Sequence, residues 1–90
     1  MRVERRHVTV DVITHEGQTT ARALLTESRG RTRQGTGDAR RKPTDFDVPE
    51  IGDELAVGRA LVDLGVRLIE DAAHDISSIE GREVTIGGIR

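Results

Sequence analysis

Few residues in this 90-residue chain are of a type that does chemistry. It has no cysteine and three histidines, His7, His15 and His74. No two of the histidines stand at metal-ligand spacing, and His15 falls within a turn signal, so no metal site is expected. Hydrolysis needs a nucleophile, a base and an orienting acid within mutual reach. Ser28, Ser77 and Ser78 lack the flanking glycines of a nucleophile elbow. His74 beside Asp75 reads as a helix end followed by a cap. Gly35, Thr36 and Gly37 do not make a dinucleotide fingerprint, because Arg40 stands where the third glycine belongs and no helix follows directly. Two glycines within a strand mark a bulge or a close backbone approach. The chain is therefore expected not to be an enzyme. No catalytic residue, metal, cofactor or small-molecule substrate is expected.

What remains is charge, and it is unevenly placed. Residues 1–42 hold ten Lys/Arg against five Asp/Glu, a balance of +5. Residues 43–90 hold four against eleven, a balance of −7, and the whole chain carries −2. Such asymmetry marks either a polyanion-binding face or a dipolar surface serving self-association. Arg22, Arg29, Arg31, Arg33, Arg40, Arg41 and Lys42 are the candidates for nucleic-acid contact, since cations neutralise phosphates without reading sequence. No aromatic platform accompanies them. Phe46 is the sole aromatic residue and lies outside the expected strands.

The elements that must position these residues follow from periodicity. Residues 7–14 alternate, with Val8, Val10 and Val12 on one face, as a half-buried strand does. His15 to Gln18 supply a turn, and residues 19–27 alternate again to complete a hairpin. Residues 28–31 read as a loop. Residues 32–41 read as a third, edge-type strand whose faces carry one hydrophobic residue, Ala39; charge there discourages unwanted pairing. Asp47, Val48, Pro49 and Glu50 form a helix start, and Gly52 with Asp53 offers a second. The helix is expected to run to about residue 73. Arg59, Asp63, Arg67 and Asp71, four apart with alternating sign, read as an exposed ladder of pairs. Residues 75–80 read as a short helix or turn ended by Gly81, and residues 83–86 as a short strand.

Most of the helix circumference outside the charged ladder is apolar, more than one sheet covers; the C-terminal segment (Ile76, Ile79, Val84, Ile86, Ile89) or a partner chain would be its second apolar neighbour. Within it Gly58, Gly65 and Ala72 recur every seven residues. Helix glycines cost about 1 kcal/mol each relative to Ala, which close approach to another backbone would offset. Leu, Ile, Val and Phe together make up 23 of the 90 residues, a thin aliphatic core. With no disulfide available, oligomerisation is the common route to stability. A homodimer is expected, with Gly58, Leu61, Gly65, Leu68 and Ala72 as the helix-packing candidates. The N-terminal residues contain no apolar run long enough for a signal peptide or a membrane span, so a cytoplasmic location away from membranes is expected.

The run Val48, Pro49, Glu50, Ile51, Gly52, Asp53, Glu54, Leu55, continued by Gly58, Arg59, Ala60, Leu61 and by His74, Asp75, Ile76, closely resembles a family of small actinobacterial proteins. This is a domain-of-unknown-function family (DUF1876-type) with a double-stranded-RNA-binding-domain-like (dsRBD-like) fold. Val10, Asp11, Val12, Ile13, then Glu16, Gly17, then Thr20 to Leu24 agree with it, as do Gly35, Gly37, Ala39 and Arg40. The resemblance covers nearly the whole chain. It implies an α+β fold of order β-β-β-α, a three-stranded antiparallel sheet packed on one long helix, and homodimers. Some members are associated with dormancy or low-oxygen stress, and a likeness to ribosome hibernation factors has been proposed. The chain departs from the family at Gln34, Thr36 and Asp38, where aliphatic residues are frequent.

A single dsRBD-like domain over residues 1–90 is thus expected, with a basic sheet half (1–42) and an acidic helical half (47–90). Two functions follow from different features. One is a non-catalytic, dimeric, stress-associated regulator touching the ribosome or RNA through the basic segment. The other is a protein-interaction or structural module that works through the apolar helix face and binds no nucleic acid.

Overall fold

The computed structural model describes residues 1–27, 30–40 and 49–81. Three strands, β1 (Val8–His15), β2 (Gln18–Thr26) and β3 (Thr32–Arg40), form an antiparallel sheet in that order. One helix, α1 (Pro49–Glu80), packs on one face of it. The architecture is the α+β, β-β-β-α arrangement the sequence implies.

The β1–β2 hairpin closes through Glu16 and Gly17, whose φ values are 49° and 77°. Positive φ at both central residues gives the turn the twist that flanking strands need. The pairing sets Val8, Val10 and Val12 opposite Leu25, Ala23 and Ala21 on the helix-facing side. On β3 the helix-facing positions are Arg33, Gly35, Gly37 and Ala39, because these pair with Leu25, Ala23, Ala21 and Thr19. Gln34, Thr36 and Asp38, the departures from the family pattern, point the other way and are exposed.

The two strand glycines set the depth of the fold. A Cβ on Gly35 would fall onto the Ala60 carbonyl oxygen and the Leu64 amide, 2.8 Å from Leu64 Cα. One on Gly37 would fall onto the Ala56 carbonyl and the Ala60 amide, 2.7 Å from Arg59 Cβ. The helix backbone therefore lies directly against β3. The buried hydrophobic residues are correspondingly small: Ala21, Ala23, Leu25, Ala39, Ala56, Ala60 and Leu64, with Val10, Val57 and Leu68 packed around them. Close backbone approach is the role the spacing of Gly35 and Gly37 suggested. A third strand with almost no hydrophobic residue still packs, because absent side chains are what the contact requires.

One expectation is corrected and two others are narrowed. The helix does not end near residue 73; it continues through His74 and Asp75 to Glu80. Within this stretch the Ser77 hydroxyl donates to the Ala73 carbonyl at 2.9 Å, a bond a mid-helix serine commonly makes. Gly81 then ends the helix, with φ 70° and its amide donating to the Ser77 carbonyl at 2.8 Å. Gly58 and Gly65 meet no backbone within this chain; a Cβ at either has no neighbour within 4 Å. The charged ladder keeps Arg59 and Arg67 exposed and the Asp63–Arg67 pair in place, but it also reaches β3, as its contacts below show. The expected Asp47 cap and the strand at 83–86 lie outside the described residues.

Candidate interaction surfaces

The ladder on α1 runs along the outer edge of β3. Arg59 donates from Nη1 to the Asp38 carbonyl at 2.6 Å, and Asp63 Oδ2 accepts the Thr36 amide at 2.9 Å. Arg67 Nε donates to the same Asp63 oxygen at 3.1 Å. One turn on, Arg33 of β3 pairs with Asp71. These side chains satisfy strand-edge groups that would otherwise invite another strand. The Thr36 amide, with help from Arg67, holds the Asp63 carboxyl below its ordinary range. Thr32, Arg33, Gln34, Arg67, Glu70 and Asp71 line an open polar cleft of about 340 Å³ at this seam.

The basic candidates are dispersed by the fold. Arg33 is half-buried against the helix and neutralised by Asp71. Arg31 lies 3.9 Å from Glu27 across the β2–β3 connection, where the Glu27 amide also donates to the Arg31 carbonyl at 2.6 Å. Arg22 and Arg40 are exposed on the open face of the sheet, Arg22 between Asp11 and Thr36, Arg40 beside Gln18. Arg29, Arg41 and Lys42 lie outside the described residues. Arg22 and Arg40 thus share a face on adjacent strands, four pairing positions apart, roughly 13 Å along the strand direction.

The helix-packing candidates divide in two. Leu68 packs against the core, and Leu61 sits exposed at its margin. Gly58, Gly65 and Ala72 face away from the sheet. With them on that outward side lie Ile51, 61% exposed, and Val62, 58% exposed, together with Leu55 and Ile76. An open hollow of about 560 Å³ sits over Gly58, walled by Leu55 and Val62 and rimmed by Glu54, Arg59 and Val66. Sequence reasoning found the small residues but assigned Ile76 and Ile79 to a separate segment covering the helix and gave Ile51 no packing role; all three belong to α1 itself. The signal that reaches them is that each stands three or four residues from the next small or large apolar position.

Among the described residues no group of three or more His, Asp or Glu is placed to hold a metal ion, and no helix is long and apolar enough to cross a membrane.

Residues 4–85 match the model of the Rv2632c-like family. An uncharacterized Mycobacterium bovis protein, Mb1767, is 49% identical over 76 residues, covering 82% of this chain and 80% of its own length. Rv2632c of Mycobacterium tuberculosis is 42% identical over 71 residues, covering 79% of this chain and 75% of its own length. The crystal structure of Rv2632c superposes with a TM-score of 0.79 at 37% identity, covering 87% of this chain and 92% of that one.

Proposed function

The chain belongs to the Rv2632c-like family, and we propose that it is a non-catalytic, homodimeric protein-interaction module that acts through the outward face of α1. One observation carries this reading. The helix turns Ala56, Ala60 and Leu64 to the sheet and leaves Ile51, Leu55, Val62, Ile76 and Ile79 exposed. Large aliphatic side chains in a row along one element mark an interaction site. Sedimentation velocity tests the reading. A dimer at tens of micromolar is expected, and a wild-type monomer at high micromolar concentration refutes it.

The likeness to hibernation factors proposed for the resembled family suggests a second use, contact with the ribosome or RNA in a cytoplasmic, stress-linked setting. Arg22 and Arg40 on the open sheet face favour it. Against it stand Arg33 and Arg31, which pair within the chain, and the acidic Glu50, Asp53 and Glu54 at the start of α1. Ribosome co-sedimentation between roughly 50 and 200 mM salt separates the two. Phosphate contacts require binding that falls steeply over that range, whereas the protein-interaction module shows negligible binding throughout.

A further inference from the structure

We propose that the outward face of α1 is an antiparallel coiled-coil seam for a second copy of this chain, in the register that sets three of its four large residues against small ones. The proposal rests on the homodimer reading and adds where and how the copies meet.

The seam is written in the spacing. Leu55, Val62, Ile69 and Ile76 recur every seven residues. Between them, three residues after one and four before the next, come Gly58, Gly65 and Ala72, with Ile51 and Ile79 extending the pattern at either end. Alternating steps of three and four without interruption are the heptad of helices that pack along their length. The seam lies across the helix from the buried line Ala56, Ala60 and Leu64. Its glycines meet nothing within 4 Å, and the hollow over Gly58 is walled by the seam residues Leu55 and Val62. That is a hole with no knob in it.

Self-complementarity identifies the occupant. When two copies run antiparallel about a two-fold axis beside residues 63 and 64, Val62 meets the partner's Gly65 and Ile69 meets the partner's Gly58. Leu55 meets the partner's Ala72, and Ile76 meets the partner's Ile51. Large faces small at the three central pairings, so the helices approach closely without voids. A parallel pair would stack Gly58 on Gly58 and Gly65 on Gly65 while crowding Val62 on Val62. The same residues that fill the partner's holes are filled against by the partner, as a two-fold interface demands.

The size of the contact sets its strength. From Ile51 to Ile79 the seam is about 42 Å long, and with a width of about 10 Å it presents roughly 400 Å² per copy in projection. Roughly 800 Å² for the pair lies below the standard size of specific interfaces, in the weak and transient class, so the dimer is concentration-dependent. Glu54 on the rim approaches the partner's Asp75. Like charges there make added salt strengthen the dimer, the opposite sign to phosphate binding.

The chain has no cysteine, so engineered thiols report contacts unambiguously. Leu55→Cys and Ala72→Cys are oxidised separately and mixed, with sedimentation velocity on the same samples. In the antiparallel register residues 55 and 72 adjoin, while the two copies of residue 55 stand roughly 26 Å apart. The mixture is therefore expected to cross-link at least tenfold faster than either variant alone. Rapid cross-linking of Leu55→Cys alone means a parallel pair and overturns the register. A dimer in which no combination cross-links faster than an Arg22→Cys control places the interface elsewhere, such as the open edge of β1; it overturns the seam and leaves the homodimer reading standing. A monomer in every sample ends both. Val62→Glu and Gly65→Leu, which fill or charge the seam without touching the core, are each expected to weaken dimerisation at least 100-fold with the helical circular dichroism of the monomer retained.

Discussion

Gly37→Ala tests the central packing claim most directly. The added methyl would land on the Ala56 carbonyl and the Ala60 amide, 2.7 Å from Arg59 Cβ. Carbon atoms at rest sit about 3.5–4.0 Å apart, so α1 must withdraw by roughly 1 Å. A gap of that size forfeits about a quarter to a half of the dispersion energy of each contact it opens, and the contacts affected include Ala21, Ala39, Ala56 and Ala60. Overpacking costs typically about 1–3 kcal/mol. The upper end applies here because the colliding atoms are helix backbone, which cannot rotate away. In a domain of this size about 3 kcal/mol lowers the melting temperature by roughly 12–24 °C. The urea midpoint falls by about 2–3 M if the denaturant slope is about 1 kcal/mol/M. Gly58→Ala is the control, since nothing lies within 4 Å of its Cβ, and it is expected to raise stability by up to about 1 kcal/mol through helix propensity. Both are measured by urea unfolding at dilute concentration, so that association does not contribute. A Gly37→Ala protein within about 0.5 kcal/mol of wild type, or one stabilised like Gly58→Ala, refutes the close backbone contact.

Three other perturbations bear on the same geometry. Arg33→Leu and Asp71→Asn are expected to show a coupling of about 1 kcal/mol in a double-mutant cycle by chemical unfolding; strictly additive losses contradict the pairing. Because the Asp63 carboxyl is held below its ordinary value of 3.8, its stabilisation is complete above that value and lost as pH falls through the lower, folded value. Wild type and Asp63→Asn should therefore differ near neutrality and converge in acid, and a gap in urea midpoint that persists unchanged to pH 2 counts against the role. The melting temperature of wild type should rise with protein concentration while that of Val62→Glu stays flat; two flat lines mean that association does not stabilise the fold.

The hairpin was legible because its alternation and its Glu16–Gly17 turn are local signals. The helix start was also legible, since Pro at a first helical position is favoured by its fixed φ. The long reach of α1 was not. His74, Asp75, Ser77 and Ser78 look like an ending by propensity, and only Gly81, with its positive φ, enforces one. The ladder's second role, at the strand edge, was hidden for a physical reason. Alternating charges at four-residue intervals stabilise an exposed face, and the same spacing lets side chains reach the edge of a strand. Nothing in the helix sequence alone distinguishes the two, because the distinction depends on where Gly35 and Gly37 dock it. Of the basic candidates, spacing on β3 could have separated Arg33 from Arg40. They are seven residues apart, an odd number, and must point to opposite faces.

The alanine-rich contact between α1 and the sheet has an energetic consequence. Among the described residues five of the seven buried hydrophobic residues are alanines, and no large side chain is fully buried. Burying a methylene stabilises by about 0.8 kcal/mol, whereas a whole Leu or Ile side chain gives about 1.5–3 kcal/mol, so an alanine layer yields little for each position it occupies. Glycine on β3 brings two backbones into contact, and that contact leaves no room for larger residues between them. The aliphatic side chains that would normally supply the core must then go elsewhere on the helix, and they stand in a heptad row on its far side. Leu55, Val62 and Ile76 contribute their transfer energy only when that row is covered. The tight inner contact and the apolar outer face are therefore two results of one choice of residues: the glycines that seat α1 on the sheet also leave large side chains on its far side, where the proposed second copy would cover them.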